Sequence, residues 1–403
     1  MRQEAGKIMG KKRTRLKSGD FVLAAITLGL VAFGVIMVFS ASYYWSIDKS
    51  GSPYTFLIKD IVWAATGFMI MIATMIVDYR VYKKFAPALL VISIILLAMV
   101  IPFGQEINGA KRWLQLGPVT LMPGEIAKIC AIIFVAWFLS TRPERIRKLV
   151  SGILPLLAIC VIYGALVMMQ PNMSTAITIV GIIVVMMFVA GLRYQYLIGI
   201  LGAGALGAIV LIVSGGGYRL NRATSFLNPF ADSLGNGYQV AQSLLALGSG
   251  GLFGMGLGKS IEKSLYLPEP QNDFILAIIG EELGYLGIIV LMCVYVLLIW
   301  RCIKVTMDAP DRFGMLLGTG ITCMIAIQVV LNIAVVTSSM PPTGVTLPFV
   351  SYGGNALWLF MGSMGILINI SRHSHKPAAV AGGREKYAPM PRTEIYKRRR
   401  TQE

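Results

Sequence analysis

Residues 21–41 read FVLAAITLGLVAFGVIMVFSA, an apolar stretch without a charged side chain. Such a stretch is long enough to cross the roughly 30 Å hydrocarbon core of a bilayer as an α-helix. About ten similar stretches recur along the 403-residue chain, which is 56% hydrophobic and only 14% charged. Soluble domains are about 25% charged, so the composition excludes a soluble enzyme, a disordered chain and a disulfide scaffold. The sequence predicts an all-α polytopic membrane protein.

Ten membrane-spanning helices are expected, at about residues 21–41, 56–77, 87–103, 123–140, 151–169, 174–192, 195–215, 273–300, 313–338 and 356–371. The first span has no small-residue cleavage site after it and is longer than the apolar part of a signal peptide, which predicts a retained helix. The membrane domain therefore covers residues 21–371, between a basic tail at 1–20 and a basic, disordered tail at 372–403.

The 36 Lys and Arg residues, which give a net charge of +17, are distributed unequally across the predicted membrane. The side that holds both termini carries 27 of them and the opposite side carries seven. The positive-inside rule therefore predicts that both termini are cytoplasmic. Basic tails also suit an anionic membrane leaflet, so the charge does not indicate nucleic-acid binding.

The cysteines and histidines exclude several kinds of site. Five cysteines lie in or at the ends of predicted spans, and neither their odd number nor their spacing matches a disulfide framework or a metal motif. The only histidines, His373 and His375, lie in the C-terminal tail. A histidine base, a histidine metal site and a Ser-His-Asp triad are therefore not expected on the outer face.

Three outer connections are long: residues 104–122, 216–272 and 339–355. Within the second, residues 238–258 (YQVAQSLLALGSGGLFGMGLG) are apolar and Gly-rich, which is typical of a membrane-surface or re-entrant segment. Such a backbone is tolerated at membrane depth only against protein or a water-lined cavity. We expect the three connections to cap one outward-facing cavity.

Ionisable residues in or beside the spans are informative, because burying each one costs about 2.5–3.5 kcal/mol even on the lenient insertion scale. They are Lys59, Asp60, Glu125, Lys128, Asp273, Glu281 and Glu282. Glu125 and Lys128 are three residues apart, on one face of the fourth span. They form either a structural ion pair, or a site in which Lys128 faces a phosphate-bearing lipid and Glu125 tunes its charge.

Asp273 stands where the longest outer connection enters the eighth span. One interpretation is a helix N-cap, which aspartate favours. The other is a partly desolvated carboxylate with a raised pKa that acts as a general base beside the cavity. Glu281 and Glu282 lie deeper and are interpreted as polar contacts between helices rather than as catalytic groups.

Arginines on the outer side suggest an anion site, since Arg binds phosphate through two parallel hydrogen bonds. Those near the predicted cavity mouth are Arg112, Arg219 and Arg222, which could alternatively be interfacial anchors beside Trp113 and Tyr218. In the last outer connection, Gly353 and Gly354 open the tenth span. Backbone amides there can bind an anion or hydroxyl, although Gly and Pro also simply end helices.

Five segments resemble, in order and spacing, the signature segments of the FtsW/RodA/SpoVE (SEDS) family, closest to its FtsW/SpoVE branch. They are MPGEIAK, QPNMSTA, NPFADSLGNGYQVAQSLLALGSGGLFGMGLGKS, LPEPQNDFILAIIGEELG and MPPTGVTLPFVSYGGN. The resemblance covers residues 20–371 and implies ten transmembrane helices. It also implies a glycosyltransferase that polymerises lipid II on the outer face of the bacterial plasma membrane. The implied partners are a crosslinking class B penicillin-binding protein and other division or sporulation proteins.

The resemblance also assigns site residues. The essential loop aspartate of the family corresponds to Asp273, and its conserved Glu and Lys correspond to Glu125 and Lys128. The remaining matches are Arg112, Trp113, Gly237, Tyr238, Gln239, Ser351, Tyr352, Gly353 and Gly354. Asn172, Asn355 and Asp60 depart from the residues common in the family.

The implied reaction is inverting glycosyl transfer with undecaprenyl pyrophosphate as the leaving group. Asp273 would be the base, and Arg112, Lys128, Arg219 and Arg222 would supply positive charge to the diphosphate. No tightly bound cofactor is expected, although Mg²⁺ or Mn²⁺ could accompany the diphosphate. The alternatives are a lipid II flippase, whose site would lie near the midplane, and a non-catalytic scaffold for the penicillin-binding protein.

Overall fold

The computed structural model describes residues 19–374, apart from 108–109, 118, 215–225, 233–234 and 236. The helices in this part of the chain are α1 (Phe21–Ser50), α2 (Thr55–Ile76), α3 (Arg80–Phe103), α4 (Pro123–Thr141), α5 (Leu154–Met168), α6 (Met173–Val189), α7 (Tyr194–Ser214), α8 (Tyr238–Ser249), α9 (Ile275–Met307), α10 (Arg312–Val336) and α11 (Gly354–His373). Three strands, β1 (Gln105–Ile107), β2 (Ala110–Leu116) and β3 (Val119–Leu121), lie between α3 and α4.

The helices confirm the predicted fold class. In the described residues, eight helices are long and apolar enough to cross a membrane, where α5 is counted together with the π-helical turn Leu149–Ile153 that precedes it. Together with α6, which is shorter, and α7, they occupy the ten predicted spans. The predicted tails at 1–20 and 372–403 lie outside the described residues except for their innermost positions.

The connection at 104–122 differs from the expected loop, because it folds into an antiparallel sheet in the order β1-β2-β3. Trp113 pairs with Gln105 on one side, and Leu114 pairs with Leu121 on the other. Gly117 makes the tight turn before β3 with a φ of 63°, in the left-handed region that favours glycine. Strands this short carry little periodic signal, so hydropathy does not predict them.

Contacts near the termini define one end of the helix bundle. Asp20 accepts a hydrogen bond from Arg301 at 2.7 Å, and its amide donates to Ser371 at 3.0 Å. The Tyr79 hydroxyl donates to Asp311 at 2.6 Å. The opposite end, called the loop face below, is formed by the described residues of 104–122 together with 169–172, 250–274 and 339–353.

Helix α9 is interrupted at Gly284, where φ is 72° and ψ is −174°. The Gly-rich loop at residues 250–256 packs against this interruption. Four backbone hydrogen bonds join them: Met255 N to Glu281 O (2.9 Å), Gly256 N to Glu282 O (3.0 Å), Tyr285 N to Gly251 O (2.9 Å) and Leu286 N to Leu252 O (3.1 Å). The Gly-rich segment thus packs against protein as expected, which satisfies the backbone groups that the broken helix releases.

Gly254 and Gly251 offer a matched test of this packing. Both have positive φ (78° and 55°), but a Cβ added at Gly254 would overlap the Glu282 carbonyl, whereas one at Gly251 would meet nothing within 4 Å. Left-handed strain costs each alanine about 1–2 kcal/mol. We expect Gly254→Ala to lose a further 1–3 kcal/mol or so through overpacking. Thermal unfolding in detergent measures this, and equal shifts for the two variants would contradict the packing.

Candidate active site

A cavity of about 2720 Å³ opens at the loop face and extends along α5, α6 and α7. All three long connections contribute to its wall, as predicted. The loop residues that line it are Arg112, Trp113, Thr120, Gln239, Pro268, Glu269, Asn272, Asp273, residues 341–346, Tyr352, Gly353 and Gly354. The cavity therefore brings together side chains that are more than 200 residues apart in the chain.

Glu125 and Lys128 form the predicted ion pair in the first turns of α4. Pro123 begins this helix, and the Lys128 Nζ to Glu125 Oε1 distance is 2.7 Å. Only 9% of the Glu125 side chain and 3% of the Lys128 side chain are exposed. Oε2 of Glu125 has no hydrogen-bond partner. Both residues also line the cavity, so the pair lies where a ligand would contact it.

Asp273 precedes α9 but does not cap it, so the N-cap interpretation is wrong. The cap position belongs to Phe274, one residue later in the chain. Instead, the Asp273 carboxylate faces the last outer connection. A Cβ added at Gly344 would lie 3.2 Å from Oδ2 of Asp273 and 3.7 Å from Nη1 of Arg112. Gly344, with a φ of 73°, is thus the point where the carboxylate and the guanidinium come close.

Arg112 is a residue of β2 whose side chain is held by hydrogen bonds to the connection between α5 and α6. Its Nε donates to the Gln170 carbonyl at 3.4 Å, and its Nη2 donates to the Pro171 carbonyl. These bonds direct the guanidinium into the cavity beside Gly344. The predicted Arg219 and Arg222 lie outside the described residues.

The four predicted site residues Ser351 to Gly354 have two different roles. Ser351 is absent from the cavity wall, and its hydroxyl accepts a hydrogen bond from the Leu347 amide at 2.7 Å, which closes a turn. Tyr352 lines the cavity and packs on Trp63, with ring centroids 4.8 Å apart. Burial raises the pKa of Tyr352, and the nearby Asp60 raises it further. A Cβ at Gly354 would lie 2.5 Å from the Trp63 ring, so that ring requires a glycine.

Gln239 and two of the residues that differ from the family pattern, Asn172 and Asn355, make hydrogen bonds that fix their side chains. Gln239 lines the cavity from α8 and donates to the Pro268 carbonyl at 3.4 Å. Asn172 caps α6 by accepting from the Thr175 amide at 3.3 Å. Asn355 donates to the Thr120 carbonyl at 2.9 Å, which joins α11 to β3.

The deeper carboxylates make polar contacts away from the cavity. The predicted contact between helices is present for Glu282, which bonds to Ser40 of α1, whereas Glu281 bonds to the loop at residues 260–262. Glu282 accepts from Lys263 Nζ at 2.7 Å and from the Ser40 hydroxyl at 2.7 Å. Glu281 accepts from the Ile261 amide at 2.8 Å. Burial raises the pKa of the adjacent Glu262, as does repulsion from Glu281. Both deep carboxylates are fully buried.

The roles of three lysines were not predicted: Lys263 as the ion-pair partner of Glu282, and Lys49 and Lys59 as residues of the cavity wall. Lys263 appeared in the sequence only as an outer charge, although a lysine within an apolar, Gly-rich segment is a signal for a buried partner. Lys49 and Lys59 also line the cavity, and Lys49 Nζ lies 4.7 Å above the Trp45 ring. Positive charge therefore lines the cavity on the α1–α2 side as well as beside Arg112 and Lys128.

Known proteins resemble this chain over nearly its whole length. The family model FTSW_RODA_SPOVE, described as "Cell cycle protein", matches residues 21–376. Stage V sporulation protein E of Bacillus subtilis is 43% identical over 90% of this chain and 99% of its own length. A probable peptidoglycan glycosyltransferase FtsW of Trichlorobacter lovleyi is 40% identical over 90% of this chain and 95% of its own.

Solved structures share the fold. A chain of a peptidoglycan synthase complex that coordinates polymerization and crosslinking has a TM-score of 0.75 at 25% identity, covering 88% of this chain and 98% of that one. Rod shape determining protein RodA of Thermus thermophilus has a TM-score of 0.67 at 26% identity, covering 89% and 98%. The chain therefore belongs to the FtsW/RodA/SpoVE family, in the FtsW/SpoVE branch.

Proposed function

We propose that this peptidoglycan glycosyltransferase of cell division or sporulation polymerises lipid II with Asp273 as its general base. The observation that carries the proposal is the single cavity in which Asp273, Arg112 and the Glu125–Lys128 pair meet. A carboxylate and two cations in one water-accessible space are the groups that glycosyl transfer from a diphosphate requires.

In the proposed reaction, the 4-hydroxyl of a GlcNAc attacks the anomeric carbon of the MurNAc at the end of a growing chain. The new C–O bond forms as the bond to the diphosphate breaks, with inversion, and undecaprenyl pyrophosphate leaves. Asp273 accepts the hydroxyl proton. The Asp273 carboxylate lies beside Gly344, with Arg112 on the other side of that glycine. This position supports the role, because the departing diphosphate would then lie near the Arg112 guanidinium while Asp273 faces the attacking hydroxyl.

Arg112 and Lys128 are the proposed cations for the diphosphate. Arg112 offers a planar guanidinium held by two carbonyls, which suits a phosphate oxygen pair. The Glu125 carboxylate holds the Lys128 ammonium in place at the cavity wall, with Nζ 2.7 Å from Oε1. Arg219 and Arg222 are proposed to assist, while Gln239, Tyr352 and the amides of Gly353 and Gly354 contact the sugars; Ser351 acts only on the turn. Any Mg²⁺ or Mn²⁺ would enter with the diphosphate.

The cavity continues between α5, α6 and α7 as an apolar groove, which we propose holds the isoprenoid tail. Its walls include Leu157, Val161, Gly164, Ile177, Val184, Ala203 and Gly204. Anchoring the tail in the membrane domain would hold the diphosphate at the level of Arg112 and Lys128. Such anchoring lowers the entropy cost of bringing two lipid-linked sugars together.

The loop face is proposed to be extracytoplasmic, with both termini in the cytoplasm, as the distribution of Lys and Arg favours. A class B penicillin-binding protein is the proposed partner. The similarity to a chain of a synthase complex that couples polymerization to crosslinking supports this assignment.

The flippase alternative is less well supported by the geometry. Transporter sites lie near the bilayer midplane, whereas Glu125 lies in the first turn of α4 and Asp273 precedes α9, both at the loop face. The scaffold alternative gives the cavity carboxylate no task, although an enzyme can also recruit partners.

The test is to incubate the purified chain, alone and with its class B partner, with labelled lipid II and to resolve the products on a glycan gel. We expect polymer in at least one of the two conditions. A parallel vesicle assay follows lipid II movement across the bilayer. Movement without polymer in either condition would favour the flippase, and neither activity would favour the scaffold.

A further inference from the structure

Asn332 is a buried asparagine of α10 that joins two loops at the cavity. Its side chain is fully buried. Its Nδ2 donates to the Asp273 carbonyl at 2.8 Å and to the Val345 carbonyl at 2.7 Å. One side-chain amide thus uses both of its hydrogens to bind the segment before α9 to the last outer connection.

The two carbonyls flank the closest approach in the cavity. Val345 follows Gly344, whose Cβ position lies 3.2 Å from Oδ2 of Asp273 and 3.7 Å from Nη1 of Arg112. Because Asn332 binds the backbone of Asp273 and of Val345, it sets the distance between the carboxylate and the Gly344 backbone. Asn332 itself is not part of the cavity wall, so it does not touch a ligand there.

We propose that Asn332 is a positioning residue, which holds the Asp273 carboxylate opposite Arg112 so that the base meets the attacking hydroxyl. This inference rests on the proposed function of Asp273. A general base must lie within hydrogen-bond reach of the proton that it removes, and a misplacement of 1 Å can cost about 10²-fold in rate. The amide acts on kcat, because it changes the base position and not the contacts to substrate.

The chemistry of the site restricts the residue that can do this. Two carbonyls must receive hydrogen bonds from one short side chain, which requires two hydrogens on one atom. Ser and Thr supply one hydrogen, and an ionised Asp supplies none. The Oδ1 atom of Asn332 has no hydrogen-bond partner, so both of the side chain's bonds come from its donor side.

Asn369 provides a matched control at the opposite end of the bundle. It is also buried, and its side chain also makes two backbone contacts: Nδ2 donates to the Met75 carbonyl at 2.8 Å, and Oδ1 accepts from the Tyr79 amide at 3.0 Å. Replacing it removes comparable hydrogen bonds far from the cavity. Its variants therefore measure what the loss of a buried amide does to stability alone.

The experiment compares Asn332→Ser and Asn332→Asp with Asn369→Ser in lipid II polymerisation, on samples matched for folded fraction. We expect kcat to fall by about 10²-fold for the Asn332 variants, with KM for lipid II within a few fold of native and Asn369→Ser near the native kcat.

Two results would overturn the inference: a native kcat in Asn332→Ser, or equal losses of kcat in the Asn332 and Asn369 variants. If the Asn332 variants do not fold, Gly344→Ala tests the same geometry by placing a methyl group beside the carboxylate, and a native kcat there also overturns it. Asp273→Asn distinguishes a failure of the proposed base from a failure of the positioning role of Asn332. Normal polymer from that variant refutes the proposed base, whereas an inactive Asp273→Asn with an unaffected Asn332→Ser refutes only the positioning role.

Discussion

Asp273→Asn is expected to lower the rate of lipid II polymerisation by about 10²–10⁴-fold without unfolding the protein. Asparagine has nearly the shape of aspartate but cannot accept the hydroxyl proton. The Asp273 backbone carbonyl accepts a hydrogen bond from Asn332 Nδ2 at 2.8 Å, and the substitution leaves this bond in place. Initial rates on a glycan gel, with thermal unfolding in detergent, measure both effects.

Glu269→Gln is the control for this variant. Glu269 is a second carboxylate on the wall of the same cavity, and it accepts a hydrogen bond from Asn272 at 2.9 Å. If any cavity carboxylate served equally well, the two variants would behave alike. We expect Glu269→Gln to retain most of its activity, and the reverse pattern would transfer the base to Glu269.

Lys128→Met is expected to lower both stability and activity. The Lys128 side chain is 3% exposed and pairs with Glu125 at 2.7 Å, so its loss leaves a buried carboxylate without a cation. Breaking one side of a buried pair costs about 3–5 kcal/mol. Polymerisation should fall as well, because the diphosphate loses one of its proposed cations.

The double variant Glu125→Gln/Lys128→Met separates the structural role from the chemical one. Removing both charges is often neutral for stability, so unfolding should return toward the native temperature while polymerisation stays low. Recovery of polymerisation in the double variant would show that the Glu125–Lys128 pair has only a structural role.

Glu282 and Lys263 form the matched control pair. Their contact is also 2.7 Å, their side chains are 0% and 2% exposed, and neither lines the cavity. Lys263→Met should be as destabilising as Lys128→Met. The double variant Glu282→Gln/Lys263→Met should recover polymerisation together with stability, unlike the double variant at the cavity.

The spans and the Glu125–Lys128 pair were predictable because both depend on local chemistry. Hydropathy over about 20 residues reports the length of a helix in lipid, and a spacing of three residues places two side chains on one helix face. The interruption at Gly284 was not predicted, since the hydropathy of α9 is continuous across it. Only the nearby Gly-rich segment at 250–256 indicated that irregular backbone would need a packing surface.

The features that the sequence did not predict depend on contacts between segments that are distant in the chain. Nothing near Asn332 in the chain indicates that its amide reaches both Asp273 and Val345. The pairing of Lys263 with Glu282 similarly requires the loop to return to α9. The capping prediction for Asp273 failed because the helix begins two residues later, at Ile275, with Phe274 at the cap position. Asp273 instead lines the cavity.

The interruption of α9 has a consequence for how the chain enters the membrane. The backbone groups released at Gly284 bond to residues 251–256, which precede it by about 30 positions and are synthesised first. The buried Glu282 finds its cation, Lys263, in the same stretch. Residues 250–286 therefore carry their own hydrogen-bond partners and their own charge neutralisation. During insertion this segment can become compatible with lipid before α10 and α11 leave the ribosome.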